Sequence, residues 1–282
     1  MKRLFKIIRN IIVILIILAL CMYGLYKFKV NQTGSFNVVI IGVDAREGEE
    51  VYRSDSLMVA HVDKEHKNID LISIPRDSYV YIPHVGRQDK ITHAYAYSGV
   101  EGTMETMQHL FDMDFEYYIE VDFKKMIALV DSIGGITLTP TATFCEMNEN
   151  DEEGSYCFEE GVNVQMDGGM ALAYSRHRKS DSDLFRAARQ QEVIKAMIGK
   201  VKDSGVLGLY NFYKELEKIS DTNIDLWTIF GYSDMAFHDF TFTQDVAQGE
   251  DSYFYDEYYG QELYFFLMDE IWLTNTIQKI QR

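Results

Sequence analysis

The chain has 282 residues, enough for one large domain or two small ones, and its content of 47% hydrophobic and 25% charged residues is that of an ordinary globular protein. It is acidic, with 44 Asp and Glu against 27 Lys and Arg and a formal net charge of −17. So negative a chain excludes general nucleic-acid binding, although cations concentrated in one place can still form a local anion site. We therefore expect no nucleic-acid partner.

The N-terminus has the pattern of a membrane anchor. Residues 1–29 carry cations and no acid, and the uncharged stretch NIIVILIILALCMYGLY runs between Arg9 and Lys27. A helix needs roughly 17 to 25 such residues to cross a bilayer, and cations in front of it favour a cytoplasmic N-terminus. A cleaved signal peptide is the alternative, but the length of the apolar core favours an uncleaved anchor. We predict a single-pass type II protein of the cell membrane, with a cytoplasmic tail at 1–9, a transmembrane signal anchor at 10–29, a linker at 30–36 and an extracellular domain at 37–282.

The chain contains three cysteines. Cys21 lies in the apolar N-terminal stretch, where we expect inert packing. Cys145 and Cys157 fall in the predicted extracellular part and bracket an acidic loop, so in an oxidising compartment they can form a disulfide. A metal pair is the alternative, but it lacks partner His or Cys residues at suitable spacing. We predict the disulfide.

Polar residues follow the first predicted strands. The run VVIIGV is typical of a buried strand that ends at Gly42, with Asp44 and Arg46 just beyond it. Further strands are predicted at Ser54–Val62 and at Ile69–Ile74, and the second of these is followed by Arg76 and Asp77. In open α/β sheets ligands bind beyond the carboxyl ends of the strands.

Strands and helices interleave along the rest of the chain, which favours a single α/β domain. A loop is predicted at 90–99. The Tyr-rich and Phe-rich segment at 252–266 is interpreted as core or edge packing by default, with a sugar-stacking surface as the alternative. Helices are predicted at 102–111, 123–133, 193–216, 225–237 and 262–280, with strands at 117–121 and 136–144.

Five cations of this acidic protein lie in the segment ALAYSRHRKSDSDLFRAARQQ at 171–191, and four of them are Arg, whose planar fork binds phosphate oxygens in pairs. From Asp183 the segment reads as a helix on which Arg186, Arg189 and Gln190 share a face. Before it, Arg176 and Arg178 alternate as on an extended segment and can point the same way. A solvated basic face balanced by acidic neighbours is the alternative.

These motifs resemble the LytR–CpsA–Psr family of cell-wall glycopolymer transferases over roughly residues 37–200. IIGVDAREGEEVYRSDSLMVA is similar to the first motif of the family, SIPRDSYV to its second, and KITHAYAYSG with DSIGGITL to its middle section. MDGGMALAYSRHR followed by SDLFRAARQQ is similar to its Arg-rich signature. Ser182 and Phe185 stand where the family more often has Gly, so we carry over the charged positions of the family but not its local loop geometry.

The resemblance implies a fold, an activity and a site. It implies an α/β domain with a central mixed sheet flanked by helices, comprising a motif-bearing core at 37–200 and a C-terminal extension at 201–282. It implies transfer of a glycopolymer, such as teichoic acid or capsular polysaccharide, from an undecaprenyl-pyrophosphate carrier to peptidoglycan. The implied metal ligands for Mg²⁺ are Asp44 and Asp55, and the implied pyrophosphate ligands are Arg53, Arg76, Arg176, Arg178, Arg186 and Gln190.

The resemblance also implies roles for individual side chains. Arg76, Asp77 and Arg186 are the implied catalytic residues, and Asp77 would orient Arg76 or help to activate the acceptor. Lys90 matches a polar position of the middle motif. The lipid tail of the donor would occupy a hydrophobic pocket, to which apolar residues of the segment 111–130 are candidates, although core packing is their default interpretation.

Two other functions fit the sequence. A non-catalytic scaffold or sensor that binds polyprenyl phosphates keeps the Arg cluster and the pocket but does not need Mg²⁺. An acidic, aromatic-rich surface protein that binds sugars or partner proteins would use the Arg residues structurally. A phosphatase-like side activity on the pyrophosphate, with water as acceptor, is compatible with the transferase.

Overall fold

The computed structural model describes residues 2–32, 34–44, 53–148, 152–178 and 183–281, and predictions that fall on Arg46, Lys179 and Ser182 lie outside them. The helices are α1 (Lys2–Gln32), α2 (Thr92–Phe111), α3 (Phe123–Ser132), α4 (Gly168–Arg176), α5 (Asp183–Asp203), α6 (Gly205–Ile219), α7 (Leu226–Gly231) and α8 (Glu270–Ile280). The first seven strands are β1 (Phe36–Asp44), β2 (Arg53–Asp63), β3 (Asn68–Ile74), β4 (Tyr79–Ile82), β5 (Arg87–Lys90), β6 (Tyr117–Asp122) and β7 (Ile136–Leu138). The others are β8 (Phe144–Glu146), β9 (Tyr156–Phe158), β10 (Val164–Met166), β11 (Asp221–Thr222), β12 (Thr241–Val246), β13 (Gly249–Asp256) and β14 (Gln261–Met268).

The N-terminal helix α1 is 31 residues long. Its apolar side chains between Ile14 and Phe28 are largely exposed. Across the described ranges, however, the structure contains no helix that combines the length and the apolar character needed to cross a membrane. The anchor at 10–29 stays a prediction.

A six-stranded sheet with the order β11-β6-β1-β2-β3-β12 forms the centre of the domain. The β1–β2, β2–β3 and β11–β6 pairs are antiparallel, whereas β1–β6 and β3–β12 are parallel. The continuous β-branched run in β1 has neighbours on both edges and helices on both faces, which is why it carries almost no polar residue. The predicted α/β fold with a central mixed sheet is confirmed.

Each face of the sheet packs against its own set of helices. Alternate residues of the strands, among them Val39, Ile41 and Leu57, face α2 and α8 and form one core. The residues between them, such as Val38 and Ala60, face α5 and the segments after it and form a second core. The result is a three-layer arrangement in which both faces of the sheet are covered.

A third cluster lies beside the sheet, where α3, α4 and α5 pack against the short β7–β10 and β8–β9 ribbons. Gly168 lies so close to α3 that a Cβ atom would be 2.3 Å from the Ile127 carbonyl oxygen, which explains a glycine at the start of α4. Cys145 and Cys157 face each other across β8 and β9 and are joined by a disulfide.

The loop predicted at 90–99 is wrong, because α2 already begins at Thr92. The Thr92 hydroxyl donates to the Ser54 carbonyl at 2.8 Å, and Ala94 is fully buried in the core, so tertiary contacts fix this first turn. Gly99, the last residue of the predicted loop, forms a kink within the helix with a φ of 57°.

The helix predicted at 262–280 is also wrong in its first half, which is β14, and α8 starts only at Glu270. Runs of consecutive aromatic residues lie in β13 and β14, where successive side chains point to opposite faces of the hairpin, and aromatic residues suit such a pleated surface. The Asp269 carboxylate then accepts from the Trp272 backbone N–H at 2.7 Å and caps α8. The hairpin β13–β14 packs on the motif-bearing core, since the Phe266 backbone N–H donates to the Asp77 carbonyl at 2.9 Å.

Two further predictions need smaller corrections. The strand predicted at 136–144 is divided into β7 and the start of β8, with Pro140, which cannot donate to a ladder, between them. The helix predicted at 225–237 is divided into α7 and a 3-10 turn at Ser233–Phe237.

Candidate active site

The site lies where the motif-bearing strands end. Since β1 and β3 are both antiparallel to β2, their carboxyl ends meet at one edge of the sheet together with the start of β2. Asp44 is the last residue of β1 and pairs with Arg53, the first residue of β2. Arg76 and Asp77 follow β3 at the same edge. The structure therefore brings together the polar residues of the first two motifs, which are more than twenty residues apart in the chain.

Asp55 occupies a β-bulge. Gly42 pairs with Ser56 and the next residue, Val43, pairs with Ser54. Asp55 is therefore the extra residue of β2, with no residue of β1 opposite it. A bulge of this kind re-aims the side chain of the extra residue, and bulges are common next to active sites. Asp55 consequently lies on the boundary between two cavities and contributes to the lining of both.

A chain of ion pairs crosses the site. Arg76 donates from Nη1 to Asp55 Oδ1 at 2.8 Å, and its Nε lies 3.3 Å from Asp77 Oδ2. Lys90, at the end of β5, donates to the other oxygen of Asp77 at 2.6 Å. The four side chains are between 15% and 30% exposed, so they are accessible to a ligand while remaining partly shielded from water.

The first cavity, which we call the charged cavity, has a volume of about 640 Å³. Arg53, Asp55, Arg76, Asp77 and Lys90 line one side of it. The other side is formed by α2 and by the hairpin β13–β14, which contribute His93, Tyr97, Tyr259, Gln261 and Leu263 among others. Cations and carboxylates on one wall and aromatic and hydroxyl groups on the other can bind an anionic group next to a polar, sugar-like one.

The second cavity, which we call the apolar cavity, has a volume of about 540 Å³ and lies between the sheet and helices α3, α5 and α6. Its walls are mainly aliphatic and aromatic, and polar residues gather where it meets Asp55: Ser56, Arg176 and Gln190. Gln190 accepts a hydrogen bond of 2.8 Å from the Ser56 hydroxyl, which links α5 to β2 at this end.

Of the apolar candidates in segment 111–130, the structure places some at this cavity and others elsewhere. Ile119, Met126 and Leu129 line the apolar cavity. Phe111 instead packs in the core on the opposite face of the sheet.

The Arg-rich segment differs from its predicted geometry. Arg176 is the last residue of helix α4 rather than part of an extended segment, and its Nη2 donates to the carbonyls of Met147 and Asn148 at 3.1 and 2.7 Å. Arg178 is exposed and Arg186 is 7% exposed. Arg176 and Gln190 both reach the apolar cavity at its polar end.

The sequence matches the profile of the LytR_cpsA_psr family over residues 22–265. The chain belongs to the LytR–CpsA–Psr family. It is 35% identical over 206 residues to TagU of Bacillus licheniformis, named a polyisoprenyl-teichoic acid–peptidoglycan teichoic acid transferase. That match covers 71% of this chain and 64% of the relative, so the chain spans slightly less than two thirds of its length.

Solved structures of related proteins have the same architecture. The crystal structure of TagV of Bacillus subtilis matches with a TM-score of 0.77 at 25% identity, covering 89% of this chain and 97% of the other. A structure of TagT bound to LIIa-WTA matches with a TM-score of 0.71 at 29% identity, covering 88% and 90%. Membership of the LytR–CpsA–Psr family thus rests on sequence and fold together.

Two residues of the Arg-rich signature in this LytR–CpsA–Psr protein are structural. Arg189, only 2% exposed, donates from Nη2 to the His177 carbonyl at 2.7 Å and has its guanidinium 5.3 Å from the Phe144 ring. Gln191 is 1% exposed and donates from Nε2 to the Asp245 carbonyl at 2.6 Å, joining α5 to the sheet. The helical spacing could not separate these residues from Arg186 and Gln190.

Sequence reasoning missed a buried polar cluster behind the charged cavity. Asp89, which is fully buried, accepts hydrogen bonds from Tyr97, Tyr259 and the Lys90 backbone N–H and pairs with His93. Burial by itself raises the pKa of Asp89, but the hydrogen bonds from His93 and Tyr97 outweigh it and hold the pKa well below its usual range. Burial and the hydrogen bonds to its neighbours raise the pKa of Tyr97.

The sequence held one weak signal for this cluster, the spacing of four between Asp89 and His93 within the middle motif. This spacing could not be interpreted as an i, i+4 pair on one helix, because Asp89 lies in β5 and His93 in α2. For the predicted metal ligands, the described residues contain no group of three or more His, Cys, Asp or Glu arranged to hold a metal ion.

Proposed function

We propose that the protein transfers a glycopolymer from an undecaprenyl-pyrophosphate carrier to peptidoglycan, forming a phosphodiester and releasing undecaprenyl phosphate. One observation carries the proposal: the ion-paired residues of the charged cavity adjoin the polar end of the apolar cavity, and Asp55 lines both. A donor that joins a long apolar chain to a pyrophosphate needs two such compartments in contact. The names of the related proteins support teichoic acid as the first polymer to test.

Each cavity and the polar residues between them correspond to one part of this donor. The lipid chain occupies the apolar cavity, where its burial supplies binding energy at about 0.8 kcal/mol per CH₂ group. Arg176 and Gln190 meet the pyrophosphate at the junction, and Arg53 and Arg76 meet it from the charged cavity. Arg178 and Arg186 complete the proposed pyrophosphate site. Transfer at phosphorus depends mainly on positioning and on neutralising charge, which Arg side chains with fixed geometry provide.

Mg²⁺ is the proposed cofactor, with Asp44 and Asp55 as its protein ligands. Mg²⁺ in proteins is usually held by one or two carboxylates together with substrate phosphates and water, and these two carboxylates at one end of the β1–β2 pair fit that donor set. When bound, the ion supplies positive charge next to the pyrophosphate. Arg76 pairs with Asp55 at 2.8 Å and keeps that carboxylate in place between the two cavities.

We also propose that residues 10–29 anchor the protein in the cell membrane with the domain on the extracellular side. The uncharged N-terminal stretch and the exposed apolar side chains of α1 support this arrangement. Such an anchor keeps the domain at the surface where lipid-linked donor and peptidoglycan meet. Membrane fractionation tests the anchor, and protease digestion of intact cells tests the orientation of the domain.

The decisive experiment uses the full chain in lipid nanodiscs, a synthetic polyprenyl-pyrophosphate oligosaccharide and a labelled peptidoglycan oligosaccharide. Release of polyprenyl phosphate and labelling of the acceptor product are followed with Mg²⁺ and with chelator. We expect coupled, Mg²⁺-dependent formation of both products by the wild type and their loss in D55A and R186A. Q281A, a change near the C-terminus and away from both cavities, is the matched control.

Three outcomes would contradict the proposal or one of its parts. Tight donor binding without product under any condition indicates the non-catalytic scaffold or sensor. Polyprenyl phosphate released without acceptor labelling indicates pyrophosphate hydrolysis, with water as acceptor, as the main activity instead of a side activity. Unchanged transfer in R186A removes Arg186 from the catalytic residues.

A further inference from the structure

The transfer described above needs a group that removes the proton of the acceptor hydroxyl, and Asp77 is poorly placed to do so. One oxygen of Asp77 accepts from Lys90 at 2.6 Å and the other lies 3.3 Å from Arg76 Nε. Both oxygens therefore already interact with a cation. This arrangement suits a carboxylate that orients two cations toward the pyrophosphate.

His93 has the opposite environment. Its Nδ1 lies 2.8 Å from Asp89 Oδ1, and the residue lines the charged cavity while its side chain is 13% exposed. With Nδ1 held by a buried carboxylate, the ring orientation is fixed and proton exchange with a molecule in the cavity goes through Nε2. A carboxylate that orients an imidazole and stabilises its protonated form is a recurrent arrangement in general-base catalysis.

The carboxylate of this pair is itself held from several directions. Arg87 Nη2 lies 3.0 Å from Asp89 Oδ2, and that oxygen also accepts from Tyr97 at 2.7 Å and from Tyr259 at 3.0 Å. Tyr259 comes from the turn of hairpin β13–β14, and its hydroxyl is also 3.2 Å from His93 Nδ1. Groups from β5, α2 and the C-terminal hairpin thus surround the imidazole, so its position is set before any ligand binds.

The wall next to His93 suits a saccharide. Tyr97, Tyr259 and Leu263 line the charged cavity on the side opposite the ion pairs. Tyrosine rings offer an apolar face and a hydroxyl to the alternating C–H and O–H groups of a sugar. A sugar bound against this wall would share the cavity with His93 and with the ion-paired cations Arg76 and Lys90.

We propose that His93 is the catalytic base that takes the proton of the acceptor sugar hydroxyl, with Asp89 as its positioning residue. The inference rests on the proposed glycopolymer transfer and names the acceptor side of that same site. The sugar oxygen forms a bond to the phosphorus bearing the glycopolymer, and the bond from that phosphorus to the bridging oxygen breaks. The electron pair of the broken bond leaves with polyprenyl phosphate, and the hydroxyl proton passes to His93 Nε2.

The test compares H93N and H93Q with the wild type in the full chain. The Asn amide can replace the Nδ1–H donor to Asp89 and keep the buried carboxylate satisfied, while neither variant can accept a proton. The matched control is H66Q: His66 also has Nδ1 2.7 Å from a carboxylate, that of Asp63, but it lies on the exposed β2–β3 turn, outside both cavities. Thermal unfolding of each variant checks the fold.

We expect kcat for transfer to fall about 100-fold or more in H93N and H93Q, the usual contribution of a general base, with the Kd of the donor unchanged. We expect the wild type to show a fall of kcat/KM toward acid pH that both variants lack. D89N removes the carboxylate that orients His93, so we expect it to lower kcat as H93N and H93Q do. H66Q has wild-type kinetics.

The outcomes separate this inference from the proposed function. If H93N or H93Q folds, has wild-type kcat and still shows the fall of kcat/KM toward acid pH, the role of His93 is overturned while the proposed transferase activity is retained. Wild-type protein that binds donor but forms no acceptor product overturns both. If both variants fail to fold, NMR titration of the His93 imidazole in the wild type decides, because a saccharide acceptor that leaves its signals unperturbed contradicts the contact.

Discussion

Lys90 Nζ and Asp77 Oδ1 are 2.6 Å apart, and this contact joins the end of β5 to the turn after β3. The same carboxylate lies next to Arg76, so one acid holds two cations at the edge of the charged cavity. In the sequence, Lys90 matches only a polar position of the middle motif. The geometry shows that Lys90 holds Asp77 and lines the charged cavity, and we expect it to add a positive charge beside the proposed pyrophosphate site.

Replacing this lysine tests that task. We expect K90M to lower kcat for transfer about 100-fold, comparable with removal of one preorganised donor, because the Met side chain keeps the packing and removes the charge. K90R is expected to retain part of the activity. Steady-state kinetics of both products provides the measurement. K218M, which breaks an exposed ion pair with Glu215 on α6, is the control and has wild-type kinetics.

Removing the disulfide is expected to destabilise the protein. The bond closes a short loop, with a sequence separation of 12, and the chain-entropy model assigns such a loop about 3 kcal/mol. C145S/C157S should therefore lower the free energy of unfolding by that amount in urea denaturation. Reductant should lower the wild type by a similar amount and leave the double variant unchanged. Equal midpoints of the oxidised wild type and the variant contradict the prediction.

Arg189 and Arg186 are expected to respond differently to substitution, although both belong to the Arg-rich signature. R189M keeps apolar contact with Phe144 but loses the charged donor to the His177 carbonyl, so the free energy of unfolding should fall by about 2 kcal/mol. The folded fraction of R189M should keep its donor affinity. R186M should lose donor affinity instead. Urea denaturation and donor-binding isotherms of both variants separate the two effects.

His61 is expected to make stability depend on pH. Burial in the sheet lowers the pKa of His61, and the nearby Asp70 and Asp63 only partly oppose this. The unfolded state therefore binds more protons once the pH falls below the ordinary imidazole value of about 6.5. The contribution of His61 is fully present above that pH and is lost as the pH falls toward the folded-state pKa. Unfolding curves of the wild type and H61Q between pH 8 and pH 5 measure it as the difference between them.

His66 gives the opposite sign and is the matched control for His61. The hydrogen bond to Asp63 raises the pKa of His66, so its contribution is present at low pH and is lost as the pH rises through its folded-state pKa. H66Q should thus differ from the wild type at acid pH by losing stability. For each variant, the free energy of unfolding is subtracted from that of the wild type at every pH. If this difference changes in the same direction with pH for H61Q and for H66Q, both assignments are contradicted.

Filling the apolar cavity should discriminate between donors by chain length. Ile198 lines the cavity from α5, and I198W places a larger ring in the space proposed for the lipid. We expect the Kd of a long-chain polyprenyl donor to rise about tenfold and that of a short-chain donor to change little, because only the long chain loses buried CH₂ groups. I271W, on the exposed face of α8, is the control. An equal rise for both donors contradicts the role of the cavity.

Much of the fold could be predicted from local patterns. The buried run of β1, the strands before Pro75 and the helix beginning at Asp183 are each dictated by residues close together in the chain. The prediction failed where tertiary contacts override local preference. A loop is predicted at 90–99, but the burial of Ala94 in the core fixes this segment as the first part of α2, ahead of the kink at Gly99. The segment at 262–268 carries residues compatible with a helix, but pairing with β13 makes it a strand.

By itself the sequence determined which residues carry charge and which motifs they belong to. It also determined that Cys145 and Cys157 were available for a disulfide. These properties reside in the residues and their spacing. The tertiary structure decided which residues act together. Tyr259 bonds to Asp89 across 170 residues of chain, and Ser56 bonds to Gln190 across 134. Burial likewise separated the structural Arg189 from the cations at the cavities, since the free energy of a charged group depends on its surroundings in space and not on its place in a motif.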